Sequence, residues 1–353
     1  MILATSTGGG EIRGSMRTAT LLSMTALVLV ALVAPAPALG QDLSDENGGL
    51  IGLTLPLGAR PLGQGRAIAA LRGELQGVPY NPATQSGIEV GALTYSRFEG
   101  ADLADLNSNY IAGAYAATWG TIGGHFVYHD FGNVPLTDTS PTPVGNVDLS
   151  ESVIGVTYAN RWRDELDYGV TLKWYSSDLG VVEASGPAFD FGVLYAPQEV
   201  AVQLAAAVRN VGPNLDLEDG SVSAPGGGSS SGNREEKLPT RIRVGVAVNL
   251  NDMFNLPASY VARLLFDVET DAREISTASQ HFGGAVTFSD VVTVRGGVVS
   301  IDNPFVDNGD GNRQIGGTFG IGIYYQGFEA DIAREVSVSE LGDETHFAVG
   351  WRF

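Results

Sequence analysis
The stretch Thr345–Phe353, "THFAVGWRF", puts Phe347, Val349, Trp351 and Phe353 on alternate residues and small or polar groups between them. Alternation with a period of two is the signature of a strand with one apolar face. Terminal residues usually fray, so a run of large apolar groups here implies that something holds the strand in place.

Working back from this stretch, the same alternation recurs through the chain. Fourteen candidate strands begin near Gly87, Asn107, Thr121, Ser150, Leu166, Glu183, Val200, Lys237, Pro257, Ser279, Val291, Gln314, Phe328 and Glu344. The links after even-numbered strands are short, for example Trp119-Gly120, Ser289-Asp290 and Gln326-Gly327. Those after odd-numbered strands are mostly longer and polar, such as Glu99 to Leu106, Gly132 to Leu149, Gly212 to Glu236 and Asp302 to Arg313. Short turns on one rim and long loops on the other predict an all-β fold, a fourteen-stranded antiparallel transmembrane barrel, rather than a soluble sandwich.

The two faces of the strands agree with this. In "TRIRVGVAVNL" Ile242, Val244, Val246 and Val248 oppose Arg241, Arg243, Gly245, Ala247 and Asn249. In "YVARLLFDVE" Tyr260, Ala262, Leu264, Phe266 and Val268 oppose Arg263, Asp267 and Glu269. The apolar set is expected against outer-membrane lipid, and the charged set, with Lys173, Asp190, Arg209, Arg295 and Arg352, in the lumen. Charged lumen residues argue against a continuous apolar path and suggest a salt-bridged girder.

Composition narrows the class. The 353 residues contain 47 Gly and no Cys, and only 17% are charged. Absence of Cys excludes disulfides and thiolate metal sites. The net charge of −20 excludes a nucleic-acid role, since phosphate backbones need cationic partners. From Met16, Arg17 precedes an apolar run from Leu21 to Ala34 and small residues before Gly40-Gln41. Residues 1–40 therefore read as a secretory signal peptide with Met16 as the true start; the run is too short for a membrane-spanning helix.

No G-x-S-x-G, P-loop or H-E-x-x-H motif occurs, and no enzyme activity, cofactor or metal is expected. His125 and His129 share a face but lie roughly 13 Å apart at strand rise, too far to share a metal. The stretch "DNPFVDNGDGN" (302–312) is oxygen-rich but lacks the spacing and closing Glu of an EF-hand, and reads as a polar turn. "APGGGSSSGNREE" (224–236) reads as a flexible loop tip. Acidic residues such as Asp102, Asp138, Asp148, Asp216 and Glu340 fall in the outward loops, as solvating charge or as a field for a basic partner.

Residues 41–86 precede the first strand. "GARPLGQGRAIAAL" (58–71) followed by "YNPAT" (80–84), with "RNVGP" (209–213) and "LPTRIRVG" (238–245), resembles the PorV/PorQ family, distant relatives of the FadL transporters. That resemblance implies a fourteen-stranded barrel over residues 87–353 with residues 41–86 as a lumen hatch, its Gly63, Gly65, Asn81, Pro82 and Ala83 forming the Gly-rich and Asn-Pro-Ala elements. Arg66 and the stretch "RGELQG" (72–77) around Glu74 stand where the resemblance implies small and acidic residues between the Gly-rich piece and Asn-Pro-Ala. The alternative is a periplasmic tail with a short helix from Arg66 to Arg72. Trp351 and Phe353 also resemble the C-terminal signal by which outer-membrane barrels are recognised for insertion, with Ala348 where that signal carries Gly.

The resemblance implies an adaptor in a type IX-like secretion pathway, binding C-terminal signal domains of exported proteins through the 132–149 and 212–236 loops. The alternative is a FadL-like transporter of hydrophobic small molecules, which requires an apolar pocket in the lumen. A plain diffusion porin ranks third, because a filled lumen tells against it.

Overall fold
The structure, a computed structural model, describes residues 50–100, 106–137, 143–163, 165–180, 182–198, 200–219, 234–273, 278–302, 313–336 and 343–353. Residues 1–40, expected to be a signal peptide, and residues 41–49, 220–233 and 303–312 lie outside the described residues.

Sixteen strands form one antiparallel sheet. They are β1 (Gly91–Glu99), β2 (Asn107–Ala117), β3 (Gly120–Thr137), β4 (Pro143–Trp162), β5 (Leu166–Asp178), β6 (Val182–Tyr195), β7 (Val202–Val211), β8 (Leu215–Asp219), β9 (Arg234–Glu236), β10 (Arg241–Asn249), β11 (Tyr260–Asp271), β12 (Ser279–Phe288), β13 (Val292–Asp302), β14 (Arg313–Tyr325), β15 (Phe328–Val336) and β16 (Glu344–Arg352). The pair β8–β9 prolongs β7 and β10 beyond the wall, so the closed ring has fourteen strands. Closure falls between β16 and β1, where Trp351 faces Leu93 and Phe347 faces Arg97. The Gly91 and Phe353 backbones exchange hydrogen bonds of 3.1 Å in both directions. Gly91 has to be glycine because the Phe353 ring occupies the place of a side chain.

The outer surface is apolar: Phe347, Val349, Trp351 and Phe353 are each 45–56% exposed, and Ile321, Phe319 and Ile332 are exposed on neighbouring strands. Closed backbone pairing with an apolar exterior suits a bilayer, which offers no hydrogen bonds to free edges. The protein is an outer-membrane barrel. By the barrel rule the rim of short turns faces the periplasm and the rim of longer connections faces out.

Sequence and structure differ in several places, among them the 212–236 loop, which carries the paired strands β8 and β9. The 132–149 segment, expected to be a loop, is largely paired strand: Asn133 faces Asp148 and Leu136 faces Gly145, past a bulge where Gly132 takes φ +77°. Polar residues hid this pairing because the hairpin projects beyond the lipid and needs no apolar face. The first strand begins at Gly91 rather than Gly87, since a 3-10 helix over Pro82–Gly87 still belongs to the preceding segment. No helix forms over 66–72. A short one spans Ala59–Gly63, and Gly65 and Arg66, both at positive φ, turn the chain before it can continue.

Candidate functional site in the lumen
Residues 50–90 lie inside the barrel, hydrogen-bonded to inward residues around its circumference. The Asn81 side chain is fully buried: Oδ1 accepts from the Ala83 amide at 3.0 Å, and Nδ2 donates to Ala69 O at 2.8 Å and Val193 O at 3.2 Å. It caps the Pro82–Gly87 turn, whose start Pro82 favours through its fixed φ. Gln85 donates to Thr121 O at 3.1 Å. Gly65 donates to Thr318 Oγ1 at 2.9 Å, and its carbonyl lies 3.2 Å from His281 Nδ1.

Wall glycines make room for this backbone. A Cβ on Gly192 would overlap Asn81 Oδ1, and one on Gly169 would strike the Pro82–Ala83 peptide. Gly283 and Gly297 receive Gln64 and Gly65 in the same way, while Gly63 lies close to Gly320 and Ala333. Much of the glycine excess on these strands is thus a footprint of the inner segment.

Charge gathers on one side. Arg243, buried, donates to Asp267 at 3.0 Å and Glu269 at 2.7 Å, and Glu269 also pairs with Arg209. Asp267 accepts the Ile68 and Ala69 amides, both at 3.0 Å. The guanidinium carbons of Arg243 and Arg209 stand 4.9 and 5.8 Å from the ring centre of Tyr80, whose hydroxyl donates to Leu57 O at 3.0 Å. Arg295 pairs with Asp331 at 2.7 Å. Arg241 and Arg263, also singled out in the sequence, make no ion pair among the described residues; Arg263 lines a cavity of about 650 Å³ at the short-turn mouth, together with Arg60, Arg72, Glu74 and Phe353.

Arg66 and Glu74 are ionic ties of the inner segment. Arg66 binds Glu335 at 2.9 Å and Glu344 at 3.4 Å. Glu74 binds Arg60 at 2.6 Å and Arg352 at 3.5 Å, and Arg60 reaches on to Glu329 and Asp331. Burial alone pushes the Glu74 carboxyl up, but Arg60 and Arg352 outweigh it and hold the group below the ordinary glutamate range. Burial likewise lowers Arg66, and Glu335 and Glu344 more than restore it, leaving the guanidinium more firmly protonated than in water. The partners Arg60, Glu329, Asp331, Glu335 and Tyr80 went unremarked in the sequence, since strand alternation marks inward charge but not its counterpart.

The opposite side of the lumen is mostly apolar. Tyr110, Ala112, Val127, Val153, Tyr175 and Ala188 of the wall, with Leu215 and Leu238 from the extension above it, pack with Leu50, Leu53, Leu75, Val78 and Ile88 of the inner segment. Most of the ionic ties lie on β10–β16, while the largest apolar cluster lies on the β1–β6 side, where Asp167 pairs with Arg72 and Arg161 and Glu151 is buried. On that side Lys173 is paired with Asp190 at 2.8 Å.

Against solved structures the fold is that of a FadL-like barrel. The CymD monoaromatic hydrocarbon channel superimposes with a TM-score of 0.56 at 13% identity, over 84% of this chain and 97% of that one. The Pseudomonas putida toluene transporter TodX gives 0.53 at 10% identity, over 82% and 95%. A Pseudomonas aeruginosa FadL homologue gives 0.50 at 10%, over 84% and 98%. No protein-family model matches the chain, and no curated protein resembles it in sequence.

Proposed function
We propose that this barrel carries hydrophobic small molecules across the outer membrane along the apolar side of its lumen. The observation that carries the reading is the strip from Tyr110 and Val127 through Val153 and Tyr175 to Leu215 and Leu238, buried beside a charged half that fixes the inner segment. The FadL-like neighbours, described as a hydrocarbon channel and a toluene transporter, support it. Residues 50–90 act as the hatch, with Gly63, Gly65, Asn81, Pro82 and Ala83 at its wall contacts, and Trp351 and Phe353 serve barrel insertion.

The secretion-adaptor reading rests on sequence resemblance alone. The order of the two readings therefore reverses, with transport first. Uptake decides between them: cells whose lipopolysaccharide-bearing outer membrane contains the barrel should take up an apolar aromatic dye faster than cells without it. Equal uptake, with exported proteins co-purifying on the barrel, would restore the adaptor.

A further inference from the structure
Four inward side chains form one row near the outward end of the apolar side. Ser108 on β2 faces His129 on β3, His129 faces Glu151 on β4, and Glu151 faces Ser177 on β5. All four are at most 3% exposed. Ser108 Oγ, Ser177 Oγ, the Tyr175 hydroxyl and both ring nitrogens of His129 make no well-formed hydrogen bond, although the Gly52 backbone stands beside His129 and the Tyr175 hydroxyl beside Ser177 and Glu151. Folded proteins rarely leave several buried polar atoms together unsatisfied, and a cluster of this kind calls for a ligand or water.

Glu151 shows what such a ligand looks like. Its Oε2 accepts the Gly52 amide at 2.6 Å, so a hydrogen-bond donor carried between the hydrocarbon side chains Ile51 and Leu53 occupies the place. Gly52 fits only because it has no side chain: a Cβ there would meet both the Glu151 carboxylate and the His129 ring. Around the row stand Tyr110, Val127, Val153 and Tyr175.

We propose that the Ser108, His129, Glu151 and Ser177 row binds a neutral, hydroxyl-bearing apolar molecule, a phenol or an alkanol, in the place the Ile51–Leu53 segment takes. The hydroxyl donates to Glu151 and accepts from His129 or Ser108, while its hydrocarbon body lies along Val127 and Val153. A plain hydrocarbon would leave the row unsatisfied. A carboxylate would face Glu151, and the row holds no Arg or Lys to offset the repulsion. The proposal rests on the transport reading and names its substrate class.

Binding of para-propylphenol, propylbenzene and para-propylbenzoate to the purified full-length barrel tests it. The phenol is expected to bind about tenfold tighter than propylbenzene, as one satisfied buried hydrogen bond warrants, with the benzoate weakest. The apolar replacements His129→Phe and Glu151→Leu should abolish the preference, weakening the phenol and tightening propylbenzene until the two bind alike. Gly52→Val, which has no room beside Glu151, should tighten phenol binding by displacing the segment. Equal affinity for phenol and propylbenzene, or preference for the benzoate, overturns the site and leaves transport standing. Failure of all three probes to bind overturns both.

Discussion

At the scale of single residues, Asn81 and Arg243 hold the inner segment by different physics. Asn81 satisfies one backbone donor and two backbone acceptors away from water, and alanine would leave all three without a partner. Asn81→Ala is expected to cost about 1–3 kcal/mol, read as lost amide-exchange protection confined to residues 69–87 while the strands keep theirs. Arg243→Ala removes the cation paired with buried Asp267, which keeps only the Ile68 and Ala69 amides, and leaves Glu269 with Arg209 alone. The expected loss is about 3–5 kcal/mol, seen as a lower temperature for the heat-modifiable gel shift of the folded barrel. Arg243→Ala combined with Asp267→Asn should recover part of that loss. The inward positions of Arg243, Asp267 and Glu269 were legible from alternation alone. The part played by Tyr80, under two guanidinium groups, was not, because a contact between residues distant in sequence leaves no local pattern.

At the scale of elements, the inner segment is tied to β15 and β16 by Arg60, Arg66 and Glu74. Glu74 gives these ties a pH dependence whose sign follows from its depressed folded value. Its carboxylate contributes stability that is complete at neutral pH and is lost as pH falls below the ordinary glutamate range and through the folded value. Melting of the wild-type barrel should therefore drop on acidification, with a shallower drop in Glu74→Gln; parallel curves would remove Glu74 from the account. Strand number and most boundaries were readable, since each wall strand must show lipid an apolar face. The 132–149 hairpin was not, because outside the bilayer pairing no longer demands alternation. The footing of the segment was half visible, in glycines whose partners could be named only once the chain was folded.

At the scale of the whole molecule, the ionic ties concentrate on the β10–β16 side and the largest apolar cluster on the β1–β6 side, which the proposed transport path follows. A linear reading shows which residues face inward, but not that most of the ionic ties gather on one side of a cylinder. The division is the central claim, and steric blocking of each half tests it most directly. Val153 and Val299 are both buried in the outward half of the lumen, the first on the apolar side and the second on β13 among the charged strands. Uptake of an apolar aromatic dye should be measured in cells carrying Val153→Trp or Val299→Trp, each confirmed as folded by its heat-modifiable migration. The account predicts that tryptophan at 153 abolishes most of the uptake and tryptophan at 299 leaves it near wild type. Loss of uptake with tryptophan at 299 but not at 153, or no loss with either, would contradict it.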